Sequence, residues 1–151
     1  MKLNELGTLC LAPLVLAGFM STITTSWHKS PTENGAIVEV QTCERGLGAH
    51  VRAASSGYYG AGIQYGMGTE VGAVSLTIQP RVGFSYVDHP VPMNLPQRSQ
   101  FELGLQGLVG YDRYRVAVDY WHMSNGAQLG LSNRRPNNGM DMMSVMVGVT
   151  F

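Results

Sequence analysis

From about Ala36 to the C-terminus, apolar side chains recur at every second position rather than with the 3.6-residue period of a helix. The clearest stretch places Val74, Leu76, Ile78, Pro80, Val82, Phe84 and Tyr86 on one face. Ser75, Thr77, Gln79, Arg81, Gly83 and Ser85 occupy the other. The same two-sided pattern runs through Phe101–Tyr111, Tyr59–Met67 and Leu47–Ala53, always with one apolar face and one polar or glycine face. Seven strands are predicted, near 36–43, 46–55, 57–67, 70–87, 99–111, 113–125 and 140–151, and an eighth would come from splitting the long 70–87 segment.

Two architectures produce this alternation. One is a soluble sandwich or barrel with its apolar face inward, and the other is a membrane barrel with the faces reversed. Composition separates them. Charged residues make up 13% of the 151 residues, against about 25% in an average soluble protein. Lysine occurs only at positions 2 and 29, so the non-apolar face lacks the charges of a solvated surface. It is built of Ser, Thr, Gln and many of the 19 glycines, which suit a narrow lumen. The predicted fold is therefore all-β: a small antiparallel transmembrane β-barrel of about eight strands. The chain ends with Val147, Val149 and Phe151 on one face and an aromatic last residue, which resembles the terminal strand of bacterial outer-membrane barrels. The zero net charge offers no electrostatic footprint for nucleic acid, and 44% hydrophobic residues exclude a disordered tail.

Leu6–Met20 is the longest apolar run, broken by Pro13 and shorter than the roughly 20 residues of a spanning helix. Placed after Met1-Lys2, it reads as the apolar region of a signal peptide over residues 1–25, with an uncleaved anchor as the alternative. Residues 26–35 then form a linker or the lead-in to the barrel, and 36–151 the barrel itself, with its chemically distinctive strands at the C-terminal end. The expected location is the outer membrane of a Gram-negative cell. With Cys10 in the leader, Cys43 stands alone and no intramolecular disulfide is expected. No Cys/His group has zinc spacing, so neither a metal nor another cofactor is expected. Residues 88–98, with three prolines, and 126–139, rich in Gly, Asn and Arg, are longer than hairpin turns and read as outward loops.

The second of these loops follows the residues with chemical potential. In Val116–Gly126 a strand runs into the loop, and His122 and Ser124 share the apolar face with Val116, Val118 and Tyr120. Direct contact between the two needs a bend at the strand end, which Asn125-Gly126 can supply. Asp141 shares its parity with Met143, Val145, Val147 and Val149, again the apolar face. If these last two strands pair, a serine, a histidine and a carboxylate converge on the lipid side, where ionisable groups are costly and therefore usually functional. Ser124 would be the nucleophile, His122 its base and Asp141 the group that orients the imidazole. The backbone N–H groups of Asn125 and Gly126 are candidate oxyanion donors.

His122-x-Ser124-Asn125-Gly126, followed by Pro136-Asn137-x-Gly139-x-Asp141 and a strand ending in Phe151, resembles the signature of the lipid A 3-O-deacylase family. The likeness covers roughly residues 99–151, with the earlier strands alike only in pattern. It implies an eight-stranded outer-membrane barrel whose lipid-facing serine, histidine and acidic residue hydrolyse an ester-linked acyl chain of lipid A, without a metal. Carried over by motif, these are Ser124, His122 and Asp141. Well-known members carry Glu, one methylene longer, where Asp141 stands, and the intervening loop is longer here.

The expected function is thus that of a carboxylic ester hydrolase acting on the lipid A of lipopolysaccharide, in contact with outer-membrane lipid. A homodimer remains open. The alternatives are a non-catalytic small barrel with a structural or adhesive role, which keeps the motif as a loop anchor, and a soluble β-sandwich. Arg134 and Arg135 are candidates for gripping lipid A phosphates, weighed against plain solvation in the loop. Asp119, Arg115 and Glu102 have lumen parity and are expected to pair inside the barrel, and Met140, Met142, Met143 and Met146 read as strand filling.

Overall fold

The computed structural model describes residues 13–22, 34–89, 97–127, 130 and 139–151. They form eight strands: β1 (Leu14–Thr22), β2 (Asn34–Gln41), β3 (Gly46–Ala54), β4 (Tyr58–Val71), β5 (Val74–Val87), β6 (Ser99–Tyr111), β7 (Tyr114–Ser124) and β8 (Met140–Thr150). Each pairs antiparallel with the next, and β8 returns to β1, with Leu14 opposite Thr150 and Thr22 opposite Met142. Closure leaves no strand edge unpaired. The all-β barrel of eight strands expected from the periodicity is the fold observed.

Its first strand is a correction. The eighth strand does not come from splitting 70–87, because residues 70 and 71 finish β4, and β5 is continuous after a turn at Gly72-Ala73, where Gly72 has φ +63°. It comes from Leu14–Thr22, inside the run assigned to the leader. In β1, Leu14, Leu16 and Met20 point inward and are buried, while Phe19 is 76% exposed on the outside. Both faces are apolar, so the two-residue period is masked and the run resembles a continuous hydrophobic segment. The barrel therefore begins at Leu14 rather than near Ala36, and a leader removed as far as residue 25 would take the closing strand with it. Of the expected linker, Asn34 and Gly35 open β2, and 26–33 lie outside the described residues.

Alternation sorts the side chains as predicted, with the apolar face outward. On β5, Leu76, Ile78, Phe84 and Tyr86 are exposed, and Thr77, Gln79, Arg81 and Ser85 are buried. The lumen is filled rather than open. Arg81 pairs with Glu39 at 2.7 Å and with Asp119 at 3.1 Å, and Arg52 pairs with Asp119 at 2.7 Å and with Glu102. Gln41, Gln64 and Gln106 bond to one another and to these ions. Asp119 and Glu102 thus pair in the lumen as expected, through Arg52 and Arg81. Arg115 instead pairs with Glu44 in the β2–β3 turn. Toward the loop end an apolar layer adds Tyr58, Trp121, Met123 and Met140, with the Arg52 guanidinium 4.3 Å from the Trp121 ring centroid. The lumen has little room to spare: a Cβ on Gly60 would run into the side chains of Tyr58 and Arg52.

The two ends of the barrel differ. At one end lie both termini of the described barrel and the turns at 42–45, 72–73 and 112–113, while the short 55–57 turn and the connections 23–33, 88–98 and 125–139 join strands at the other. Most outward aromatics gather near the ends, Phe19, Tyr59, Phe84, Tyr86 and Phe101 toward the long connections and Tyr111, Tyr114 and Phe151 toward the termini, while Tyr65 and Tyr120 lie partway along β4 and β7. Phe84 and Phe101 meet edge to face at a centroid distance of 5.7 Å.

Candidate active site on the outer wall

β7 and β8 pair in the register that the site needs. His122 lies directly opposite Asp141, with Leu103 of β6 on its other flank. His122 Nδ1 is 2.9 Å from Asp141 Oδ1. A carboxylate can only accept here, so the Nδ1 proton is donated to it and Nε2 is left with its lone pair available. Asp141 is buried, 6% exposed, although it belongs to the outer face, and its neighbours cover it. The Tyr120 hydroxyl, on the same face of β7, donates to Asp141 Oδ1 at 2.8 Å. Two donors therefore meet one carboxylate oxygen, which offsets much of the cost of holding a charge against an apolar wall.

Gly139, the residue before β8, backs onto the imidazole. Its φ is +70°, and a Cβ built there would overlap His122 Cε1 and Nε2. The glycine is required twice over, by its backbone conformation and by the ring that occupies the space of a side chain. The sequence motif contains Gly139, but only the structure shows what it touches.

Ser124 ends β7 opposite Phe101, on the same face as His122. Gly126, with φ +69°, turns the chain out of the strand, and its N–H donates to Ser124 Oγ at 3.3 Å. Among the described residues, no hydrogen bond joins Ser124 to His122. Same-face neighbours two apart on an extended strand are separated by nearly 7 Å, so the serine stands beside the histidine–aspartate pair rather than bonded to it. The Gly126 N–H adjoins the serine oxygen, as a donor to an oxyanion formed there would. Asn125 Oδ1 accepts from Ala127 N–H at 3.1 Å, which holds the start of the loop.

The structure thus brings His122 and Asp141 into contact and places Ser124 on the same wall one step away, with Asn125 and Gly126 at its shoulder. Arg134 and Arg135 lie outside the described residues. Among the described residues, no group of three or more His, Cys, Asp or Glu side chains is placed to hold a metal ion. The hydroxyl of Tyr120 is the functional group that sequence reasoning missed. Its face was legible, but its reach to Asp141 depends on the β7–β8 register. No protein-family model matches the chain, and neither does any curated protein.

Proposed function

We propose that the protein is a serine esterase of the outer membrane that hydrolyses an ester-linked acyl chain of lipid A at the outer wall of its barrel. The observation that carries this reading is the His122–Asp141 pair, bonded at 2.9 Å on the apolar exterior with Ser124 on the same face. Two features support the membrane setting. The exterior is apolar while the ion pairs fill the lumen. The second is the separation of the aromatic belts. Ten residues separate Phe101 from Tyr111 on β6. At about 3.3 Å per residue and a tilt near 40°, that is a band about 25 Å tall, the apolar height of an outer-membrane barrel. The termini and the turns at 42–45, 72–73 and 112–113 would face the periplasm, and the long connections, with the 55–57 turn, the outside. Ser124, opposite Phe101, then lies at the belt of the outer leaflet, the depth at which acyl esters join a lipid headgroup.

The chemistry follows from the groups present. His122 Nε2 takes the Ser124 proton as Oγ attacks the acyl carbonyl, and Asp141 stabilises the imidazolium. The Gly126 N–H, which meets Ser124 Oγ at 3.3 Å, and that of Asn125 are the proposed donors to the oxyanion that develops on the substrate carbonyl. Collapse of the tetrahedral intermediate returns the proton from His122 to the departing sugar oxygen and leaves the acyl group on Ser124. Water, deprotonated by the same imidazole, then releases the fatty acid and restores the serine. Resemblance of the 122–126 and 136–141 motifs to the lipid A 3-O-deacylases supports lipid A as substrate, and Arg134 and Arg135 are the proposed phosphate contacts.

Lipid A from cells making the protein should lose the mass of one acyl chain, and Ser124→Ala should restore the full mass. Unchanged lipid A with folded wild-type protein overturns the proposal. The hydrogen bond from Gly126 N–H to Ser124 Oγ favours a second reading, in which the motif anchors the loop of a non-catalytic structural or adhesive barrel. Labelling of Ser124 by a fluorophosphonate would exclude it.

A further inference from the structure

The structure assigns Tyr120 to the reaction as a positioning residue: we infer that its hydroxyl fixes the Asp141 carboxylate in the orientation from which it holds His122. The inference rests on the esterase reading and names a fourth group for the same site.

Tyr120 stands two residues before His122 on the outer face of β7, opposite Met143, whereas Asp141 stands opposite His122. Tyrosine and aspartate are therefore diagonal neighbours across the β7–β8 ladder, a separation of about 7–8 Å that an aromatic side chain can bridge. The phenol does so, and it donates to Oδ1 at 2.8 Å, the same oxygen that His122 Nδ1 meets at 2.9 Å. A carboxylate held by one donor can rotate about its last torsion. One held by donors from two positions along the neighbouring strand cannot turn without losing a bond.

Membrane anchoring does not account for a tyrosine at this position. Most outward aromatics cluster near the two ends, whereas Tyr65 on β4 and Tyr120 lie partway along their strands, Tyr120 four residues, about 13 Å of strand, inward from the Ser124–Phe101 level. Its neighbours on β6 and β8 are Leu105 and Met143, both apolar and exposed. The Tyr120 hydroxyl nevertheless has a hydrogen-bond partner on this apolar wall, and that partner is Asp141. Phenylalanine would cover the same surface, so what the hydroxyl adds is the bond to the acid.

The full-length protein in detergent micelles can be compared with Tyr120→Phe on lipid A and on a short-chain 4-nitrophenyl ester. Losing a hydrogen bond to a charged group predicts a fall in kcat of about ten- to a hundredfold, with KM changed less than about twofold. Heat-modifiable migration on gels should be unchanged, since no apolar contact is lost. In an Asp141→Asn background the same substitution should cost nothing further, because the two groups act as one unit. An undiminished kcat overturns the inference, as does a change confined to KM or a full multiplicative loss on top of Asp141→Asn. The low-field Nδ1–H proton resonance of His122 reads the pair without turnover: Tyr120→Phe should move it, and an unmoved resonance overturns the inference. If the wild type hydrolyses neither ester, the esterase reading fails, and the resonance still decides whether Tyr120 fixes the pair.

Discussion

At the scale of single residues, the site is held from three sides: Asp141 at Nδ1 of His122, Tyr120 beneath the carboxylate and Gly139 against the far edge of the ring. The glycine can be tested alone. Gly139→Ala places a side chain at φ +70° and into the imidazole, so stability should fall by about 1–2 kcal/mol for the backbone conformation. Hydrolysis should fall further than stability, because the ring must leave its place opposite Asp141. Urea titration of the refolded barrel and ester turnover measure the two effects separately, and equal turnover in the variant would show that the ring does not depend on this contact. Parity along the two C-terminal strands was enough to place His122, Ser124 and Asp141 on one face, since a period of two assigns faces without any knowledge of register. It could not show which oxygen meets which nitrogen. Tyr120 and Gly139 act through the diagonal reach of a phenol and the space behind a ring, and neither is encoded in alternation.

Among the strands, β2 to β8 were legible within a few residues, because one face of β2 to β6 is apolar and the other mostly polar or glycine, while Asp119 of β7 and Ser144 and Gly148 of β8 mark an otherwise apolar inner face. β1 was not. Leu14, Leu16 and Met20 line the apolar part of the lumen while Val15, Ala17 and Phe19 face outward, so hydrophobicity does not alternate and the run reads as a leader. Its role is topological, since it supplies the hydrogen bonds that β2 and β8 would otherwise lack. A chain beginning at Asn34 should therefore fail to close. Refolded into detergent, it should lose heat-modifiable migration and aggregate through the exposed edges of β2 and β8. A truncated chain that still migrated as a compact barrel would show that closure does not need β1.

For the molecule as a whole, the scarcity of charge has a spatial explanation: the exterior of the described barrel is largely apolar, and Arg52, Arg81, Glu39, Glu102 and Asp119 compensate one another inside. A lumen so filled is a packed core and not a pore. Thr150 and Arg115 also tie Glu44 of the β2–β3 turn to β8 and β7, near the terminal end. Wild-type protein in planar bilayers should accordingly show no discrete conductance steps, and steady single-channel currents would contradict the filled lumen.

The strand that carries Asp141 is also the strand that closes the cylinder, with His122 across one ladder and β1 across the other. Under the proposed function, an unclosed chain would carry all three groups on the β7–β8 hairpin, but the far edge of the strand that holds the acid would be unpaired. Ester cleavage would then reach its full rate only when the last seam is zipped, so that assembly itself would complete the enzyme.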